Sequence, residues 1–113
     1  MHTLHSAPEA AHWLRTRVTG ELRTDSRQVR PGDGFIAWPG AATDGRQYLA
    51  QALMQGATAC LLEEEGHAAW LKALHATSAH VDRLAVMKDL KAQTGLVADA
   101  YYEHPSQALS VLA

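Results

Sequence analysis

The feature that most narrows what this chain can fold into is a pair of short apolar runs, Phe35-Ile36-Ala37-Trp38 and Ala59-Cys60-Leu61-Leu62, with one helix's worth of sequence between them. A run of apolar residues without polar alternation is the pattern of a strand covered on both faces. After the first run, Pro39-Gly40 stops the strand and Ala41-Ala42-Thr43 opens a loop. Asp44 then reads as a helix N-cap, with Gln47 three residues on as its capping-box partner. Leu49, Ala52 and Leu53 fall on one stripe, and Gly56 supplies the C-terminal stop. Strand, helix and strand in this order mean two parallel strands joined by a right-handed crossover. The expected fold is therefore α/β, a small mixed sheet built on that crossover and flanked by helices.

The flanking sequence fills in the rest. Ala7 to Arg17 reads as a first helix, with Ala10, Ala11, Leu14 and Val18 near helical spacing, and Gly20 breaks it. Glu21 to Arg27 reads as a strand, which places Leu22, Thr24 and Ser26 on one face and Arg23, Asp25 and Arg27 on the other. Pro31-Gly32-Asp33-Gly34 is a turn signal. Further helices are expected over His67 to Leu74 and Asp89 to Tyr102, and a strand over Leu84 to Met87. The last helix would bury Leu90, Val97, Ala98 and Tyr101 and end at His104-Pro105. Leu109, Val111 and Ala113 alternate, so residues 106–113 read as one more strand or a linker entering one. The length of 113 residues suits a single domain.

Several classes of function are disfavoured. A net charge of −2 gives no basic stripe for nucleic acid or for an anionic membrane surface. No apolar run approaches the roughly 18 residues of a membrane helix, and Met1 to Pro8 carry no secretory pattern. Cys60 is the single cysteine, so an intrachain disulfide is impossible and a cytoplasmic location is expected. There is no G-x-x-x-x-G-K-[ST] loop, and Gly32-Asp33-Gly34 lacks the third glycine of a dinucleotide fingerprint. His75 and His80 are five apart, which is not one helix face, and no cysteine or carboxylate cluster completes a metal site. Trp13, Trp38 and Trp70 read as packing residues, and Glu63-Glu64-Glu65 as a solvated turn.

Two segments remain as a candidate site. Ligands of open α/β sheets sit outside the carboxyl ends of the strands. Thr24-Asp25-Ser26-Arg27 ends one strand, and Gly40-Ala41-Ala42-Thr43-Asp44-Gly45 leaves another. Small residues in the second loop admit a ligand close to the backbone. The hydroxyls of Thr24 and Ser26 both donate and accept, as a uracil ring requires, and Arg27 or Arg46 can meet a diphosphate. Plainer roles stand beside this: Ser26 as a turn cap, Asp25 as a partner of Arg27, Asp44 as a helix cap.

The ordered series Asp25-Ser26-Arg27, Val29-Arg30-Pro31-Gly32-Asp33, Phe35-Ile36-Ala37, Pro39-Gly40 and Asp44-Gly45 resembles the amino-terminal domain of the Mur ligases, in their MurE and MurF branches. The likeness continues through Ala52, Gly56-Ala57 and Ala59 to Leu62-Glu63. Tyr101-Tyr102-Glu103-His104-Pro105-Ser106 followed by Leu109 is similar to the segment leading into the ATP-binding loop of the MurE branch. The resemblance implies that residues 1–113 hold the uridine diphosphate end of UDP-N-acetylmuramoyl-L-alanyl-D-glutamate for an ATP-dependent ligase adding meso-diaminopimelate in peptidoglycan synthesis. The equivalent MurF domain, or a non-catalytic interaction domain of the same fold, is the alternative. By position, the substrate-binding residues would be Thr24, Ser26, Arg27, Gly40, Ala41, Ala42, Thr43 and Asp44, with backbone contacts at the two alanines. The implied partners are the central and C-terminal ligase domains and other Mur enzymes. ATP and magnesium belong to the full-length ligase, so the 113 residues alone are not expected to be catalytic and take no cofactor.

Overall fold

The structure is a computed structural model and describes residues 2–40, 43–74 and 82–112. Five strands form one sheet: β1 (His2–Leu4), β2 (Leu22–Arg23), β3 (Gly34–Ala37), β4 (Ala59–Glu63) and β5 (Leu84–Met87), in the order β1-β5-β4-β3-β2. Every pairing is parallel, with Phe35 opposite Cys60 and Leu61 opposite Ala85. The expected mixed sheet is thus corrected to an all-parallel one. Its chain reaches each new strand by returning over a sheet face instead of turning back in a hairpin, and such crossovers keep strands parallel. The expected crossover is β3, then α2 (Leu49–Met54), then β4.

Helices cover both faces. α1 (Ala7–Arg15) and α4 (Leu90–Leu112) pack on one, where Leu14, Leu90 and Val97 meet Ile36, Leu61 and Ala85. On the other, Leu49, Ala52 and Leu53 of α2 pack with Phe35, Ala37, Cys60 and Leu62, and Leu71 of α3 (His67–Leu74) joins them. Neighbouring residues such as Phe35 and Ile36 therefore point to opposite cores, which is why these strands carry no polar alternation. Ser6 caps α1 by accepting from the Glu9 amide at 3.2 Å. The Pro31-Gly32 turn closes with the Asp33 amide donating to the Arg30 carbonyl at 3.0 Å, and Gly32 takes φ +92°, a region costly for any residue with a Cβ.

The structure corrects several local expectations. β1 is an additional strand, absent from the sequence reading, and β2 stops at Arg23. Asp25 accepts from the Arg27 amide, turning Ser26–Gln28 into a 3-10 turn, so Thr24 and Ser26 do not share a strand face. A short polar side chain that bonds its own backbone two residues on competes with the sheet ladder, and here it prevails. Asp44 caps as expected, but it caps a 3-10 turn (Gly45–Tyr48) that precedes α2. It accepts from the Arg46 amide, and no reciprocal bond from Gln47 is present among the described residues. Glu63 is no merely solvated carboxylate: it accepts from the Leu90 amide at 3.0 Å and so caps α4. That helix continues past Pro105 to Leu112 instead of ending there as a strand or linker. Proline has no N–H to donate and its ring crowds the carbonyl four residues back, which weakens a helix at that point without forbidding it. Ala98 is half-buried. Ala41, Ala42, His75, His80 and Ala113 lie outside the described residues.

Cys60 sits in the central sheet with no exposure, and burial pushes its thiol up to about 12. Since the thiolate is the reactive form, the folded chain is expected to resist thiol reagents at pH 8 and to be modified fully only after denaturation. Mass spectrometry with iodoacetamide, with and without denaturant, measures this; rapid labelling of the folded chain would contradict the burial.

Candidate functional site

Because the strands are parallel, their carboxyl ends share one edge, and the segments after β2 and β3 emerge there side by side. They enclose a cleft of about 560 Å³. Thr24, Asp25, Ser26 and Arg27 form one wall; Trp38, Thr43 and Gly45 come from the β3 side; Tyr48 and Gln51 come from the start of the crossover helix. Of the residues expected from sequence, Thr24, Ser26, Arg27 and Thr43 thus converge. Gly40 and Asp44 hold the loop without lining the cleft.

The loop is fixed by its own hydrogen bonds. The Gly40 amide donates to the Thr43 carbonyl at 2.8 Å and the Gly45 amide to the Trp38 carbonyl at 3.0 Å, with Pro39 and Asp44 forming an antiparallel bridge. On the opposite wall Ser26 is buried, and its hydroxyl donates to Gln51 Oε1 at 2.9 Å. Gln55 donates to the carbonyls of Ser26 and Val29, so α2 holds the 3-10 turn from below.

Asp25 and Arg27 form a forked pair, Nε to Oδ1 at 3.1 Å and NH2 to Oδ2 at 2.9 Å. The side-chain bond from Arg27 is the main reason the Asp25 carboxyl lies below its ordinary value, and the same bond raises the guanidinium. The Arg27 side chain is 81% exposed, so its charge faces solvent at the mouth of the cleft and can turn to an anion there. Arg46, the other arginine expected to meet a diphosphate, does not reach the cleft. It is buried and bonded to Asp44 and to the carbonyls of Glu63 and Glu65, because a buried guanidinium needs all its donors matched.

The cleft is equipped for recognition. Hydroxyls, an amide and two aromatic residues offer donors, acceptors and ring faces to a planar heterocycle. Its lining contains no histidine or cysteine, and Ser26 donates to an amide oxygen instead of to a base, so the nucleophile–base geometry of covalent catalysis is missing here. Among the described residues no group of three His, Cys, Asp or Glu can hold a metal. Sequence reasoning missed three lining residues: Trp38, read as packing, and Tyr48 and Gln51. The last two were detectable in principle, since residues three apart share one side of a helical turn and this pair lies off the Leu49, Ala52, Leu53 stripe.

A parallel sheet with a polar cleft outside the carboxyl ends of its strands defines an α/β module with its cleft where ligands of open α/β sheets sit. The family model described as "Mur ligase family, catalytic domain" matches residues 20–113, and the chain belongs to the Mur ligase family. Over 113 residues it is 51% identical to the UDP-N-acetylmuramoyl-L-alanyl-D-glutamate–2,6-diaminopimelate ligase of Acidovorax sp. (strain JS42), covering 100% of this chain and 21% of that protein. Ligases of the same name from Pseudomonas putida (39% over 112 residues; 99% of this chain and 21% of that protein) and Pseudomonas aeruginosa (44% over 105 residues; 93% and 20%) are also similar. The chain therefore spans about a fifth of the length of these relatives.

Proposed function

We propose that the cleft holds the uridine diphosphate end of UDP-N-acetylmuramoyl-L-alanyl-D-glutamate, within a cytoplasmic ATP-dependent ligase that adds diaminopimelate during peptidoglycan synthesis. The observation that carries this reading is the meeting of Thr24–Arg27 with Thr43–Gly45 in one cleft. These segments are far apart in sequence, and no packing requirement brings the exposed Thr24 and Thr43 together. Uracil would sit against the Thr24, Ser26 and Thr43 side, with a ring face offered by Tyr48 or Trp38, and backbone contacts from residues 40–43. Arg27 would swing from Asp25 towards the diphosphate, exchanging one charge-assisted pair for another.

The reaction itself requires parts that these residues do not form. As the family resemblance implies, ATP and magnesium would act in other parts of the ligase; the sequence itself carries no phosphate-loop motif. The module's part in catalysis is positional: binding energy from an unreactive end of the substrate orients the reacting end.

Titrating the 15N-labelled chain with UDP tests the reading. The largest amide shifts are expected at Thr24 to Arg27, at Gly40 and at Thr43 to Tyr48, with the amides of β1 and α1 unmoved. Shifts confined to β1 and α1, or none at millimolar UDP, would reject it.

A further inference from the structure

Arg46 lies directly behind the cleft loop and is 5% exposed, rare for arginine. Its donors are used in two directions. Nε donates to Asp44 Oδ1 at 3.0 Å and NH2 to Asp44 Oδ2 at 2.8 Å. NH1 points the other way and donates to the carbonyls of Glu63 at 2.8 Å and Glu65 at 2.5 Å. The guanidinium carbon lies over the Trp70 ring, 5.9 Å from its centroid. One side chain thus joins three parts of the fold: the loop after β3, the turn after β4, and α3. Asp44 sits between Thr43 and Gly45, which both line the cleft, so whatever fixes Asp44 fixes that wall.

We propose that Arg46 is a positioning residue for the cleft, a strut that sets the Thr43–Gly45 wall against the turn at Glu63–Glu65 without touching the ligand. This role rests on the uridine reading of the cleft. Apart from the Arg46 guanidinium, the backbone ties of Asp44 and its cap are local: the bridge to Pro39, the cap on the Arg46 amide, and the Asp44 carbonyl accepting from the Gln47 amide at 3.1 Å. The Glu63 carbonyl belongs to the last residue of β4, and Glu65 is tied back to it by its amide, which donates to the Glu63 carboxylate at 3.2 Å, so the strand end serves as the abutment. Lysine cannot reproduce the strut, since an ammonium lacks the planar fork that serves a carboxylate on one side and two carbonyls on the other.

The test is Arg46→Lys in the 113-residue chain, read by amide hydrogen exchange and by UDP titration. Protection is expected to fall at Gly40 and Gly45, whose N–H groups close the loop, and to stay at Leu61 and Val86 in the sheet. UDP affinity is expected to drop about tenfold. Unchanged exchange at Gly40 and Gly45, or a loss shared equally by Leu61 and Val86, would overturn the positioning role, as would equal UDP affinity in both chains. Failure of the unmutated chain to bind UDP sinks the uridine reading instead, and exchange alone then decides for Arg46. If Arg46→Lys does not fold, Asp44→Asn provides the same readouts, because it keeps the cap on the Arg46 amide while removing the charge of the pair.

Discussion

Replacing Asp33 with alanine is expected to lower the stability of the chain by about 3 kcal/mol, the largest loss foreseen for any single polar residue in it. Asp33 is buried and is the hub of the turn between β2 and β3. Its Oδ1 accepts from the Glu21 amide at 3.0 Å, and its Oδ2 from the Arg30 amide at 3.0 Å and Arg23 Nε at 3.2 Å. The Gly20 backbone packs so closely that a Cβ there would stand 2.2 Å from Asp33 Oδ1. Removing the carboxylate leaves two backbone donors and part of a guanidinium without partners, in a place water enters poorly. Burial by itself works against the charged form, yet the bonds from Glu21, Arg30 and Arg23 outweigh it and hold the carboxyl below its ordinary value. A depressed carboxyl contributes stability in full above its unfolded value, about pH 4, and loses it as pH falls through the lower folded value. Urea unfolding at pH 7 should show the full difference between the two chains, and the difference should shrink as the pH drops below about 4. A constant difference down to pH 2 would mean that lost packing, not lost charge, explains the effect.

The same hub shows how far the sequence could be read. Pro31-Gly32-Asp33-Gly34 announces a turn, and the turn is there with Gly32 at positive φ. That the Asp33 side chain reaches back to Glu21 and Arg23 has no local signature, since it depends on where β2 lies beside β3. The crossover was legible because each part of it is enforced locally: apolar runs covered on both faces, a capping aspartate, and a glycine at φ +104° where α2 must end. β1 was not. His2-Thr3-Leu4 has no periodicity of its own and becomes a strand by pairing with β5, more than eighty residues away. The cleft was half legible. Its two polar segments could be placed at the carboxyl ends of strands, but the strand expected through Ser26 gives way to a 3-10 turn. Whether Arg27 or Arg46 is free depends on which one finds backbone carbonyls at its back. Both sit two residues after an aspartate and fork onto it, so the local sequence cannot separate them; burial against β4 does.

Gly40→Val should abolish most of the UDP affinity while leaving the fold almost as stable. A Cβ at Gly40 would stand 2.8 Å from the Thr43 carbonyl, the group that accepts the Gly40 amide. No flexible side-chain tip is available to move aside, so the backbone at Gly40 or Thr43 must shift and that hydrogen bond must lengthen or break. The Gly45–Trp38 bond lies on the sheet side of that pair, and among the described residues no sheet atom stands within 4 Å of a Cβ built at Gly40. Lost stability should therefore stay near the net value of one exposed hydrogen bond, about 1 kcal/mol. Affinity should fall tenfold or more, about 1.4 kcal/mol at least, because backbone contacts to a nucleotide tolerate little displacement. Gly95→Ala is the matching control: a Cβ there meets nothing within 4 Å, and alanine inside α4 should stabilise by up to about 1 kcal/mol with UDP binding unchanged. Calorimetric titration of the three chains, with their thermal midpoints, separates the two effects. Equal UDP affinity in Gly40→Val and the unmutated chain would show that the 40–43 loop takes no part in holding the nucleotide.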